Sequence, residues 1–104
     1  MYRLVLLPVA KEDIKDAASW YESKKEKLGK RFTLHVRQIT AIVKENPYLY
    51  AIRYNEVRTA VLDMFPFMIH YIIDEPGKKV VIIAVLHTSR TPDIWTGNRN
   101  SGEL

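Results

Sequence analysis

Cysteine is absent from the 104 residues of this chain, and glycine occurs only four times. The absence of cysteine excludes disulfides, thiol catalysis, Cys-ligated zinc and iron–sulfur clusters. The longest strongly apolar run, Val80 to Leu86, is far shorter than the ~20 residues that a helix needs to cross a bilayer. The three histidines, His35, His70 and His87, lack metal-ligand spacing, so we expect no metal site and no cofactor.

The remaining composition is that of an ordinary globular protein. Hydrophobic residues make up 47% of the chain and charged residues 27%, which argues against disorder. The first residues show no basic region followed by a long apolar stretch, so we expect no signal peptide, no membrane association and a cytoplasmic location. We predict a single domain over residues 1–95 and a flexible C-terminal tail over residues 96–104.

Positive charge is concentrated in one part of the sequence. Lysine and arginine outnumber aspartate and glutamate by 16 to 12, and the excess lies between Glu22 and Arg37. Such a local field attracts acidic partners or phosphates, although a solvated helix face would give the same pattern. The candidate contact residues here are Lys24, Lys25, Lys27, Lys30, Arg31, Leu34 and Arg37.

Two amphipathic helices are predicted in the first half of the chain. Apolar residues recur at the 3.6-residue period over residues 10–27 and again over residues 30–45. Gly29 is expected to adopt a left-handed cap between them. Asn46-Pro47 ends the second helix, because a residue that precedes proline avoids the helical region. The short connection predicts an antiparallel helical hairpin.

Strand patterns surround this hairpin. We predict strands over Tyr2 to Leu7, Val57 to Leu62, Phe67 to Asp74 and Lys79 to His87, with a tight turn over Asp74 to Lys78. The order β-α-α-β-β-β predicts an α+β fold. In this fold the helical hairpin packs on one face of a mostly antiparallel, four-stranded sheet.

The last two predicted strands are apolar on both alternating faces. Two helices can cover only one face of a sheet, so the other face is expected to be an apolar patch that binds a protein partner. Met68 and His70 alternate onto that face. The alternative is that loops and the tail cover it.

The end of the last predicted strand and the predicted strand over Val57 to Leu62 carry the candidate chemistry. His87 can act as an acid or base near neutral pH, and Arg90 can hold a phosphate with two donors. Trp95 can stack on a nucleic-acid base. Arg58 can point onto the apolar face that the helices leave uncovered. The alternative for each is structural: a polar strand end for His87 and Arg90, a core anchor for Trp95 and a paired strand arginine for Arg58.

Short motifs in a fixed order extend from about residue 3 to residue 95, and through them the sequence resembles the RelE/ParE superfamily of bacterial toxins. Each motif is weak alone, and the order and spacing give the resemblance its specificity. The motifs are Ala10-x-x-Asp13-Ile14, Trp20-Tyr21-Glu22, Leu28-Gly29-x-x-Phe32, Asn46-Pro47, Val57-Arg58-x-Ala60-x-Leu62, Phe65-Pro66-Phe67-x-Ile69-x-Tyr71-x-Ile73-Asp74 and Ala84-Val85-x-His87-x-x-Arg90-x-Pro92-x-x-Trp95.

The resemblance implies the toxin of a type II toxin–antitoxin module of the plasmid-stabilisation type. Toxins of this superfamily are neutralised by an antitoxin whose C-terminal segment, commonly acidic, wraps them as an extended chain and a helix. ParE-like members inhibit DNA gyrase, whereas RelE-like members are metal-independent endoribonucleases that cleave messenger RNA on the ribosome.

Residues typical of the ribonuclease branch are missing from this sequence, which favours the ParE-like branch. Met68 stands where the ribonuclease branch often has an arginine, and no lysine occurs from Arg53 to Pro76. We therefore expect a toxin that inhibits gyrase by binding. In the alternative, a ribosome-dependent ribonuclease, His87 would be the acid or base, and Arg58 and Arg90 would stabilise the phosphorane. A further alternative is a degenerate, non-toxic member that still binds antitoxin.

Overall fold

A computed structural model describes residues 1–89, which form two helices and five strands. Arg90, Trp95 and the tail predicted over residues 96–104 lie outside the described residues. Neither of the two helices has the length and hydropathy to cross a membrane. The elements are β1 (Arg3–Leu6), α1 (Pro8–Lys24), α2 (Leu28–Glu45), β2 (Ile52–Tyr54), β3 (Val57–Val61), β4 (Phe67–Asp74) and β5 (Lys79–His87).

The five strands form one sheet in the order β1-β5-β4-β3-β2. Strand β1 is parallel to β5, and the other neighbours are antiparallel. The predicted α+β class and the order of helices and strands are confirmed, but the prediction of four strands is wrong, because β2 adds a fifth. Strand β2 has only three residues, too few to show alternation, and its turn to β3 uses Asn55 (φ 41°) and Glu56 (φ 67°) where a glycine would have signalled it.

The helices cover one face of this sheet, and the core lies between the two layers. Both predicted helices are present, although α1 begins earlier, with Pro8 in its first turn, where the missing N–H costs nothing. The apolar stripe of α2 is buried as its period predicts, through Phe32, Val36, Ile39 and Val43. It packs on sheet residues that include Ala60, Leu62, Ile69, Tyr71, Val80, Ile82 and Val85.

A β-bulge in β5 changes which side chains share a face. Tyr71 pairs with Ile82 and His70 pairs with Ala84, so Ile83 is an extra residue. Strict alternation would place Val85 on the same face of the sheet as Ile83 and on the other face from Ile82. Instead Ile82 and Val85 both lie in the helix-side core, because one inserted residue reverses the alternation that follows it.

The face away from the helices is not the open apolar patch that the sequence predicts. Met68 and His70 have relative exposures of 2% and 0%, and Ala84 and Leu86 are also buried. Part of the cover comes from β2. The Tyr54 hydroxyl lies 3.1 Å from Nδ1 of His70, and the Arg53 guanidinium is 3.9 Å from the Met68 sulfur. The sequence did not predict β2, so this part of the cover was missing from the expectation.

The connection between the helices also differs from the expectation. Lys27, with φ 72°, takes the left-handed conformation that was predicted for Gly29. Gly29 lies in the first turn of α2 because α1 passes very close to it. A Cβ atom at this position would be 2.3 Å from the carbonyl oxygen of Ala18.

Gly29→Ala is therefore expected to destabilise the fold by about 1–3 kcal/mol, the range for overpacking. Alanine gains about 1 kcal/mol in helix propensity, but a clash with a backbone oxygen is relieved only by moving the helices apart. The matched control is Gly77→Ala, whose Cβ would meet movable side-chain atoms of Asp74 and Lys79. Urea unfolding measures both, and equal stability of the two variants would contradict this reasoning.

Candidate binding surfaces

The basic segment forms the exposed end of the helical hairpin. Lys24 is the last residue of α1, Lys25 and Lys27 lie in the connection, and Arg31 lies on the first turn of α2. All four side chains are exposed, and we call this set the basic tip. The Lys24 ammonium lies 4.9 Å from the centre of the Trp20 ring, close enough for a cation–π contact.

The carboxylate of Glu22 fixes the shape of this tip. Its two oxygens accept hydrogen bonds from the backbone N–H groups of Lys27 (2.8 Å) and Gly29 (2.9 Å). These backbone hydrogen bonds hold the pKa of Glu22 below its usual range. Glu22 thus satisfies amides at the start of α2 that would otherwise lack acceptors.

A groove lies between β1, α1 and α2. It has a volume of about 360 Å³ and continues into a second cleft, which shares Thr33 and Arg37 with it. Its floor is apolar and its rim is basic, from Lys11 and Arg37, with Lys30 bordering the second cleft. Leu34, predicted as a contact residue, also lines that cleft and is 55% exposed. The groove is lined by Leu4, Leu6, Lys11, Ile14, Thr33, Val36, Arg37 and Thr40.

Strand β1 borders this groove and is an edge of the sheet. The amides of Arg3 and Leu7 donate inward to Lys78 and Ile82. By alternation the main-chain groups of Leu4 and Leu6 point away from β5. An edge of this kind can accept an added strand.

A cluster around Glu75 anchors the start of β1. The hydroxyls of Tyr2 and Tyr48 both donate to the Glu75 carboxylate, and Lys78 Nζ lies 2.9 Å from its other oxygen. The hydrogen bonds from Tyr2 and Tyr48, with that from Lys78, lower the pKa of Glu75 to about 2. The hydrogen bond to Glu75 raises the pKa of Tyr48 to about 12. Three distant parts of the chain are thereby joined.

The Glu75 cluster is expected to contribute stability that is lost in acid. Since folding lowers the pKa of Glu75 from 4.5 to about 2, its contribution is complete above pH 4.5 and falls as the pH drops towards 2. The difference in thermal midpoint between the native chain and Glu75→Gln should therefore shrink between pH 7 and pH 3. An unchanged difference would show that the ionised carboxylate contributes nothing.

Arg58 lies on the helix-side face rather than on the face opposite the helices. It pairs with Tyr71 across β3 and β4 and shares its face with the buried Ala60. Its guanidinium donates to the carbonyl oxygen of Tyr50 (2.6 Å) and lies 4.9 Å from the centre of the Tyr48 ring. Arg58 thus holds the segment between α2 and β2 against the sheet.

His87 lies at the end of β5. Its Nδ1 is 2.9 Å from the Ser89 hydroxyl and accepts a hydrogen bond from the Ser89 backbone amide (3.0 Å), and its ring packs edge-on against Phe67. It lines a cleft of about 240 Å³ with Asp13 and Asp16 of α1. Within residues 1–89 no group of three or more histidine and carboxylate side chains is placed to hold a metal ion.

The structure does not bring Arg58 and His87 together. Arg58 pairs with Tyr71 and His87 pairs with Phe67, four residues away along β4 and on its other side. Strand rise and spacing then separate their Cα atoms by roughly 16 Å. The hydrogen bond of Arg58 to the Tyr50 carbonyl directs its guanidinium to the segment before β2, whereas the His87 ring lies against Phe67.

Sequence reasoning missed the role of Asp13. Strand β1 ends at Leu6, opposite Ile82, so among residues 1–89 no strand borders the outer edge of β5 beyond that point. The Oδ2 atom of Asp13 on α1 accepts the hydrogen bond of the Val85 amide at 3.0 Å. The motif that contains Asp13 was visible in the sequence, but this long-range contact was not. His35 is buried, and its Nε2 accepts a hydrogen bond from the Asp63 amide (3.1 Å).

The sequence over residues 4–92 matches the family described as the ParE toxin of the type II toxin–antitoxin system parDE. The chain belongs to the ParE toxin family. The match covers more than four fifths of the chain and confirms the resemblance to the RelE/ParE superfamily. No curated protein sequence is significantly similar to this ParE-family chain.

Solved structures of related systems share the fold. The chromosomal ParDE system of P. aeruginosa is 19% identical with a TM-score of 0.61, over 84% of this chain and 96% of that chain. The intact E. coli RelBE complex is 14% identical with a TM-score of 0.60, over 86% and 100%. An E. coli RelE mutant in complex with an antitoxin RelB peptide is 15% identical with a TM-score of 0.65, over 91% and 90%.

Proposed function

We propose that this ParE-family toxin arrests growth by binding DNA gyrase in the cytoplasm, without chemical turnover. The observation that carries the proposal is the arrangement of the candidate residues. The basic tip is exposed and fixed in shape, whereas Arg58 is engaged in structure and lies roughly 16 Å from His87. An exposed, charged, rigid surface suits binding to a partner.

The partner that neutralises the toxin is proposed to be a cognate antitoxin with an acidic C-terminal segment. The groove supports this assignment, because an apolar floor, a basic rim and an open strand edge together fit an extended acidic chain. The similar ParDE and RelBE structures contain toxin–antitoxin systems, which agrees with this proposal.

The ribonuclease alternative makes a contrary prediction for His87. If the toxin acts by binding, His87→Ala should leave growth arrest within about twofold of the native chain, because the ring serves local contacts with Ser89 and Phe67. Induced expression, with growth and messenger RNA integrity followed together, measures this. Loss of arrest in a variant that still folds and binds antitoxin would favour the enzyme. A native chain that causes no growth defect would instead favour a degenerate member.

A further inference from the structure

The groove and the basic tip both carry positive charge, but they differ in the surface that surrounds the charged groups. The groove has an apolar floor that includes Leu4, Ile14 and Val36, as a protein-binding surface requires at its centre. The basic tip instead presents four exposed cationic side chains. The exposed aromatic ring beside it, Trp20, is in contact with the Lys24 ammonium.

The tip is also preorganised. The hydrogen bonds from Lys27 and Gly29 to Glu22 fix the connection, and the Trp20 ring positions Lys24. Residues 22–31 include five basic residues and two acidic ones. One of the acidic residues, Glu22, is hydrogen-bonded to the backbone. A connection of fixed backbone that carries exposed cations matches the phosphate backbone of a nucleic acid, where contacts are electrostatic and independent of sequence.

We propose that the basic tip binds double-stranded DNA through its phosphates, so that the toxin contacts the DNA held by its target as well as the protein. The choice of DNA rests on the proposed function, because gyrase acts on duplex DNA. The acidic antitoxin segment is assigned to the groove, whose apolar lining offers the contacts of a protein interface. The tip and the groove therefore bind different partners.

The test is fluorescence anisotropy of a labelled DNA duplex of arbitrary sequence with the purified full-length chain. The tip variant carries Lys24→Gln, Lys25→Gln and Arg31→Gln; Lys27 is kept because of its left-handed backbone. The control variant carries Arg3→Gln, Lys15→Gln and Lys44→Gln, which removes the same charge elsewhere. Thermal unfolding confirms that each variant folds, and antitoxin binding is measured in parallel as a second readout.

We expect the tip variant to bind DNA about 100-fold more weakly than the native chain at ~0.1 M salt. The slope of log K against log salt should become shallower by about 2.7, since each phosphate contact contributes about 0.9. The control variant should lose far less. Equal losses in the two variants would overturn the proposal, as would unchanged DNA binding with antitoxin binding lost, which would assign the tip to an acidic peptide.

The failure of this proposal can be separated from failure of the proposed function, because the assay contains no gyrase. A chain that binds DNA through the tip but leaves gyrase active would overturn the function and support the inference. A tip variant that keeps its DNA affinity would overturn the inference, whatever its effect on gyrase.

Discussion

Charge reversal at the basic tip is expected to abolish growth arrest. In the variant with Lys24→Glu, Lys25→Glu and Arg31→Glu, we expect inhibition of gyrase supercoiling to weaken at least about 100-fold, because attraction to the target becomes repulsion. The residues are exposed, so the cost in stability should be small. Antitoxin affinity should stay within about threefold, since these side chains do not line the groove.

The matched control reverses Arg3, Lys15 and Lys44 to glutamate, which changes the net charge equally while leaving the tip intact. This control should retain most of the inhibition. If both variants lost activity to the same extent, net charge rather than the tip would be responsible. If the tip variant stayed fully toxic, the hairpin would have no part in target binding.

Charge reversal at the rim of the groove is expected to weaken antitoxin binding and to leave gyrase inhibition intact. In the variant with Lys11→Glu and Arg37→Glu, antitoxin affinity should fall by about 100-fold, equivalent to about 2.7 kcal/mol, because both charges border the groove. The variant should still inhibit gyrase. Cells that also express antitoxin should therefore stop growing with this variant and continue to grow with the native chain.

Isothermal titration of antitoxin into each toxin measures this effect directly. A variant with Lys15→Glu and Lys44→Glu provides the control, because it carries the same change in charge and neither residue lines the groove. Native antitoxin affinity in the rim variant would show that the acidic segment binds elsewhere.

The helices and long strands were predictable because each follows a clear period. Four apolar residues of α2 lie on one stripe, and Asn46-Pro47 marks its end at Glu45. Strands β4 and β5 were bounded correctly by their hydrophobic runs and by the turn at Gly77. Local sequence is enough to specify elements of this length.

Features that depend on distant residues could not be predicted. The three-residue β2 is a strand because β3 is beside it, and the bulge at Ile83 arises from pairing with β4. Side chains of β2 contact Met68 and His70, which alternation alone had left exposed and which are buried. The sequence shows that this face is hydrophobic, but it does not show the strand pairing and register around it.

The candidate site was predictable in composition and only partly in geometry. The excess of lysine and arginine near Gly29 predicted an exposed basic surface, and the structure places it at the end of the hairpin. The sequence analysis expected Arg58 on the face away from the helices, and it did not anticipate the hydrogen bond to Tyr50. Glu22 appeared only as part of a motif, because a carboxylate that caps the next helix leaves no periodic signal.

Pulse labelling of DNA and protein synthesis in the first minutes after induction without antitoxin tests the central claim most directly. We expect DNA synthesis to fall first while translation continues, and the tip charge-reversal variant to remove this effect. An early collapse of translation, with DNA synthesis continuing, would contradict gyrase as the target and would make His87 a catalytic candidate.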